Sequence, residues 1–235
     1  MTLSIVIPAF NEERFIGTLL DRIKAVDLSS LGPEHEIVKE IIVVDDCSRD
    51  RTAAIVEGHE DVVLVRQPQN GGKGRAVRAG IARATGDLLI IQDADLEYDP
   101  SDYVPMLRAL LDKKGDVVYG SRYMGRGKHP GQEWAAYLGG RSLSLIALAL
   151  TGQYLTDTVT AYKLFARTDL AALPLETSGF ELDHEITSRL LAQGKRIVEV
   201  PIRYIPRSRE EGKKIGLRDW FIALRTFWRY RRRSG

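Results

Sequence analysis

Short apolar runs alternate with amphipathic stretches through the first half of the chain. Residues 3–7 are apolar and rich in β-branched side chains, which predicts a strand. Asn11 follows as a helix N-cap, and Phe15, Ile16, Leu19, Leu20, Ile23 and Val26 then fall on one helical face. The same alternation predicts a strand over 37–44, a short helix over 52–57 and a strand over 62–66. A helix over 75–84, stopped by Gly86, and a strand over 87–92 come next. Asp99-Pro100 supplies an N-cap and a first-turn proline to a helix over 101–114, and 117–119 reads as a fifth strand. Uninterrupted apolar strands between amphipathic helices predict an α/β fold with a mostly parallel sheet covered on both faces.

After Gly120 the order changes. Residues 125–131 form a glycine-rich basic stretch, 134–150 an apolar helix, 158–165 a strand, 181–192 a helix, and 196–205 a strand interrupted by Pro201. With no internal repeat and no flexible linker, one domain over 1–205 is expected, with halves at 1–120 and 121–205. A segment from 206 to 235 follows. In it Trp220, Phe221, Leu224, Phe227 and Trp228 share one helical side, interleaved with Arg218, Arg225, Arg229 and Arg231 to Arg233. Such a helix suits the interface of an anionic membrane; the alternative is that its aromatics pack on the domain's own core or on a second subunit.

Composition narrows the class without naming it. A chain of 235 residues, 44% hydrophobic and 28% charged, buries a core large enough to fold without staples and is neither disordered nor of low complexity. The single cysteine, Cys47, precludes an internal disulfide and suits a reducing compartment. Met1 leads directly into a strand pattern, so no signal peptide is expected, and no apolar run reaches the ~18 residues of a membrane span. A cytoplasmic protein, soluble or lying on a membrane, is the expectation. Net charge +2 conceals an asymmetry: from residue 203 onward there are eleven Lys/Arg and three Asp/Glu, a balance of +8, while residues 1–202 carry −6. The basic character is local and points to an anionic surface met by the C-terminal segment.

Candidate chemistry gathers where strands end, the rim at which open α/β sheets bind ligands. Pro8-Ala9-Phe10-Asn11-Glu12-Glu13, Asp45-Asp46 and Asp93-Ala94-Asp95 each follow a predicted strand. Carboxylates converging there repel one another unless a cation or hydrogen-bond donors offset them; for Asp46 and Asp50 a turn or cap role is an equal alternative. If residues 92–97 stay extended, Asp93, Asp95 and Glu97 alternate onto one side and present oxygens to one hard ion, Mg²⁺ or Mn²⁺. The first strand lacks G-x-G-x-x-G, which argues against a dinucleotide cofactor. Asn70-Gly71-Gly72-Lys73-Gly74 lacks the Walker spacing, and it reads either as a tight turn into the next helix or as a phosphate contact. An acidic rim and the lack of any recognition motif argue against nucleic acid.

Several blocks together resemble family 2 glycosyltransferases: 4–13, 43–50, Asn70 to Gly74, and Gln92-Asp93-Ala94-Asp95-Leu96-Glu97. The later blocks are similar to the polyprenyl-phosphate sugar synthases of that family. These are Gly120-Ser121-Arg122-Tyr123, Asp157-Thr158 with Tyr162-Lys163-Leu164-Phe165, Gly179-Phe180-Glu181, and Glu199-Val200-Pro201-Ile202. The resemblance covers about residues 1–215. It implies a GT-A fold, a nucleotide-binding three-layer sandwich, with a nucleotide-sugar donor of the GDP-mannose or UDP-glucose type. It also implies a divalent metal, a polyprenyl phosphate acceptor and inversion at the anomeric carbon.

Carried over by position, Pro8, Ala9, Phe10 and Glu12 line the nucleotide pocket and Asp45 reads the base. Asp93 and Ala94 contact nucleoside and sugar, and Asp95 and Glu97 hold the metal; Glu97 departs from the glutamine of many mannose synthases. Arg122, with Arg141, forks onto the diphosphate. Asp157 orients the acceptor, or takes a proton if the acceptor is a hydroxyl. For Asp183 and Glu185 a solvated helix face is the alternative to a role as base. The basic stretch after the last strand matches the family's acceptor loop loosely, with Arg207, Arg209 and Lys213 as candidate phosphate contacts and Glu210-Glu211 as an insertion. Transfer to a glycan hydroxyl, or an inactive nucleotide-sugar-binding module that docks on membranes, are the competing readings.

Overall fold

A computed structural model describes residues 1–124, 134–206 and 217–231. Seven strands form one sheet: β1 (Thr2–Ala9), β2 (Val38–Asp45), β3 (Val62–Arg66), β4 (Leu88–Ile91), β5 (Val117–Ser121), β6 (Lys163–Ala166) and β7 (Ile197–Pro201). Their spatial order is β3-β2-β1-β4-β6-β5-β7, and every neighbouring pair is parallel except those made by β6, which runs antiparallel between β4 and β5. Among the described residues eight α-helices accompany it: α1 (Ile16–Ala25), α2 (Thr52–Glu57), α3 (Lys73–Arg83), α4 (Tyr103–Leu111), α5 (Trp134–Thr151), α6 (Arg167–Ala171), α7 (Leu182–Ala192) and α8 (Leu217–Tyr230).

The apolar strands explain the layers. Along β1, Leu3, Ile5 and Ile7 face one cluster with α1 and α4, while Val6 faces a second with α3 and α7. All are fully buried, so the period of two serves two cores at once. A third, smaller cluster lies outside the sheet, where Leu143 and Ala147 of α5 meet Ala223 and Phe227 of α8. The C-terminal helix is therefore packed on the domain, with Trp220 donating its indole N–H to Ser142 Oγ at 2.8 Å.

Several elements differ from the sequence expectation. The strand expected over 158–165 is confined to β6, because Thr158 and Val159 form a turn and the Val159 and Tyr162 amides donate to Asp157 Oδ1 and Thr160 Oγ1 instead of to a neighbouring strand. The helix expected over 101–114 is a 3-10 turn, Pro100–Asp102, capped by Asp99, before α4 starts at Tyr103. The last strand stops at Pro201; beyond it Tyr204 makes a single bridge to Tyr98. Asn11 does not cap α1: it takes a left-handed conformation (φ 56°), and its side chain accepts the Arg49 N–H. At five residues, α6 is too short to carry a readable period.

Because β6 is antiparallel, the chain entering it arrives at the rim where β1, β2, β4 and β5 end. The turn carrying Asp157 thus lies at the C-terminal edge of the parallel strands.

Candidate active site

Two rim loops are stitched into one wall. After β1 the Asn11 N–H donates to Ser48 Oγ, the Glu12 N–H to Thr52 Oγ1 and the Glu13 N–H to Asp50 Oδ2. Asp50 also accepts from the Thr52 amide, and these hydrogen bonds hold its carboxyl below the ordinary range despite partial burial. Pro8, Ala9 and Glu12 lie along this wall, with Phe10 exposed at its lip and Asp45 buried at its base, accepting the Ser48 N–H at 3.2 Å.

Asp46 has a structural partner. It accepts the Gly71 and Gly72 N–H groups at 2.9 and 2.7 Å, while the Gly74 and Arg75 N–H groups donate to Ser178 O. These four amides of the glycine loop are spent inside the protein, which favours the tight-turn reading over a phosphate cradle. Glycine is required there: a Cβ on Gly72 (φ 84°) or Gly74 would stand 2.6 or 2.7 Å from the backbone around Ser178.

What the glycine loop delivers is Lys73. Its ammonium reaches Asp93 Oδ1 at 2.8 Å and Asp183 Oδ2 at 3.2 Å, and Asp183 Oδ1 in turn receives the wholly buried Lys163 at 2.7 Å. Against the cost of burial, the two lysines hold the Asp183 carboxyl down at about 2. Asp183 is therefore a buried, doubly paired anion and not a solvated one. Glu185 is equally committed: fully buried, it accepts from the Glu176 and Thr177 amides, from the Thr177 hydroxyl and from Arg189.

The Asp93–Glu97 segment departs from the extended geometry expected of it. β4 ends at Ile91, and residues 94–97 form a turn with Leu96 in the left-handed region (φ 60°) and the Glu97 N–H on Asp95 Oδ1. Among the described residues no three His, Cys, Asp or Glu side chains group as a metal cage, so Asp93, Asp95 and Glu97 do not form one. Asp93 turns to Lys73, while Glu97 Oε2 accepts the Tyr204 hydroxyl at 2.8 Å. Ala94 is buried between them in sequence.

Across the rim Arg122, just past β5, forms a two-pronged pair with the buried Asp157: Nε to Oδ2 at 2.6 Å and an Nη to Oδ1 at 2.8 Å. The Arg122 amide donates to the same carboxylate at 3.1 Å. Burial opposes the guanidinium charge, but Asp157 outweighs it and holds the Arg122 pKa well above its ordinary value. Asp157 is aimed from behind by Glu199 of β7, which accepts the Thr156 and Asp157 amides at 2.7 and 2.9 Å. Arg141 turns to the adjoining turn, donating to Thr156 O at 3.3 Å and lying over the Tyr154 ring. Arg207, Arg209 and Lys213 lie outside the described residues.

The profile described as "Glycosyl transferase family 2" matches residues 4–170. The chain belongs to glycosyltransferase family 2. It is 31% identical to the dolichol-phosphate mannosyltransferase of Pyrococcus furiosus over its whole length, but spans only 65% of that protein. With the dolichyl-phosphate beta-glucosyltransferase of Trichomonas vaginalis it shares 29% identity, over 70% of this chain and 53% of that protein. Among solved structures, mannosyl-3-phosphoglycerate synthase of Rubrobacter xylanophilus superposes with a TM-score of 0.75 at 21% identity, covering 97% of this chain and 73% of that one. Glucosyl-3-phosphoglycerate synthase of Mycobacterium tuberculosis, crystallised with Mn²⁺, UDP and phosphoglyceric acid, gives 0.70 at 20% identity over 97% and 77%. The family 2 chain thus has the GT-A fold, as the resemblance implied.

Of the residues that matter to this geometry, Lys73 and Tyr204 carried no signal of their own in the sequence. Lys73 stood inside a motif read for its glycines, and Tyr204 lay in what read as an ordinary strand.

Proposed function

We propose that the chain moves a hexose from a nucleoside diphosphate sugar to a polyprenyl phosphate at a membrane surface, inverting the anomeric carbon. One observation carries the choice of acceptor. The three carboxylates eligible as general base are all committed: Asp157 to Arg122, Asp183 to two lysines, Glu185 to Arg189 and three other donors. A hydroxyl acceptor needs a base, whereas a phosphate monoester is already ionised at neutral pH. In this reading an acceptor phosphate oxygen attacks the anomeric carbon from the face opposite the leaving group as the bond to the diphosphate breaks.

The residues then divide the work. Pro8, Ala9, Phe10, Glu12 and Asp45 hold the nucleoside, and Asp93 and Ala94 the sugar side. Arg122, pre-aimed by Asp157, meets the charge growing on the departing diphosphate; such placement contributes more in a water-poor cleft than in solvent. Arg141 borders the same turn. Asp95 and Glu97 fit a hard divalent ion, Mg²⁺ or Mn²⁺, that takes its remaining ligands from phosphate oxygens and water, as a two-carboxylate site does. Such an ion, when bound, neutralises the leaving diphosphate. The Mycobacterium tuberculosis neighbour crystallised with Mn²⁺ and UDP, and the relatives named for dolichyl phosphate, support donor and acceptor classes alike. Asp45 and Glu12 suit a GDP- or a UDP-linked donor alike.

The membrane surface is supported by exposed apolar side chains on two helices. On α5, Trp134, Leu138, Leu145 and Leu148 are exposed at helical spacing; on α8, Phe221 and Trp228 are exposed beside Arg225 and Arg229. No helix among the described residues is long and apolar enough to cross a membrane; in this reading the exposed side chains of α5 and α8 rest on a cytoplasmic leaflet as a peripheral contact. The test is transfer from GDP-mannose and UDP-glucose to dolichyl and undecaprenyl phosphate in vesicles, with and without EDTA. Transfer abolished by the chelator and by Asp95→Asn, with the circular dichroism of the variant unchanged, is the expected result. Undiminished activity in EDTA, or preferred transfer to a glycan hydroxyl with a bell-shaped pH profile, would overturn it.

A further inference from the structure

Tyr204 stands between the two charges that the proposed reaction must balance. Its hydroxyl donates to Glu97 Oε2 at 2.8 Å, and the Arg122 guanidinium lies over its ring, 5.1 Å from the centroid. The ring is almost wholly buried and braced from behind by Tyr98 at 5.5 Å, itself stacked on Tyr162 at 4.7 Å. The backbone is pinned as well: Tyr204 bridges to Tyr98, and the Ile205 N–H donates to Glu97 O at 3.0 Å.

We infer that Tyr204 is a positioning residue with two separable tasks. Its hydroxyl fixes the rotamer of Glu97 and so sets the affinity for a divalent cation. Its ring fixes the plane of Arg122 and so sets how well the diphosphate is stabilised. A hydrogen-bond donor behind a ligating carboxylate commonly changes metal affinity about 10–100-fold. A guanidinium stacked on an aromatic ring keeps its plane, and therefore its fork, aligned. The inference rests on the reading of Asp95 and Glu97 as the metal-holding pair.

Two substitutions separate the tasks. Tyr204→Phe keeps the ring and removes the hydroxyl; Tyr204→Leu removes both. Mn²⁺ binding in the presence of UDP or GDP is measured by electron paramagnetic resonance of the free ion, alongside kcat as a function of Mn²⁺ concentration. Both variants are expected to bind Mn²⁺ about 10–100-fold more weakly than the wild type. Saturating Mn²⁺ should restore kcat in Tyr204→Phe and leave it depressed in Tyr204→Leu. A merely structural tyrosine would not be rescued by the metal. Wild-type Mn²⁺ affinity in Tyr204→Phe, or a kcat defect in that variant that saturating metal does not repair, overturns the inference while leaving the metal-holding pair intact. Failure of the wild type itself to bind Mn²⁺ with either nucleotide removes that pair, and the inference with it.

Discussion

Lys73 shows how little a side chain's importance depends on the motif around it. Its ammonium is enclosed between Asp93 and Asp183, and removing one member of such a buried set leaves an uncompensated charge behind. Lys73→Met is expected to destabilise the fold by about 3–5 kcal/mol, read as a fall in the denaturation midpoint in urea. An unchanged midpoint would mean that water reaches the two carboxylates after all. What could be named from the sequence were positions: Asp45, Asp93 and Asp95 at the ligand-binding rim, because each ends or follows an apolar run, and Arg122 through the family resemblance. The partners of Asp183 could not, because Lys73 and Lys163 are brought to it from 110 and 20 residues away, and no local spacing encodes that meeting.

At the level of elements, α7 and α8 form a pH-sensitive contact. His184 of α7 is buried, its Nδ1 has no hydrogen-bond partner, and its ring lies 5.2 Å from that of Phe227 on α8. Burial lowers its pKa to about 4 from an ordinary 6.5, with Asp183 opposing and Lys163 assisting. The unfolded chain takes up the proton first, so stability is complete above about pH 7 and falls as pH drops from about 6.5 towards 4. The loss reaches about 3 kcal/mol at most, from the size of the shift. His184→Phe keeps the packing and removes the titration, so its melting temperature should fall less than the wild type's between pH 7.5 and pH 5. Equal slopes in the two proteins would rule this out. The existence of both helices was readable from their apolar period. The burial of α7 on every side was not, because beside the core-facing Leu182, Ile186 and Leu190 its other sides carry Asp183, His184, Glu185, Thr187 and Ser188, which a period argument assigns to solvent.

For the whole molecule, the exposed aromatics of α5 and α8 are where the proposed lipid contact is expected. Trp134, Phe221 and Trp228 are each about 60% exposed, and a tryptophan at a bilayer interface gains both apolar burial and headgroup contact. Phe221→Ser with Trp228→Ser should weaken binding to vesicles containing anionic lipid by at least about tenfold, since roughly 1.5–3 kcal/mol accompanies the burial of each large apolar side chain. The melting temperature should hold, because neither side chain belongs to the α5–α8 core. Co-sedimentation reads the first quantity and calorimetry the second; undiminished sedimentation of the double variant would place the contact elsewhere. The alternation of strand and helix disclosed the parallel half of the sheet. The antiparallel insertion of β6 was hidden, because strand direction leaves no trace in a strand as short as Lys163–Ala166.

The contact between Gly72 or Gly74 and the backbone at Ser178 reaches further than its size suggests. It rivets the glycine loop before α3 to a segment more than a hundred positions later, with no side chain to act as a spacer. Chimeras that import a foreign first 120 residues to change sugar preference would therefore break at this rivet unless 176–179 travelled with them. The natural unit of exchange in this enzyme is a discontinuous one.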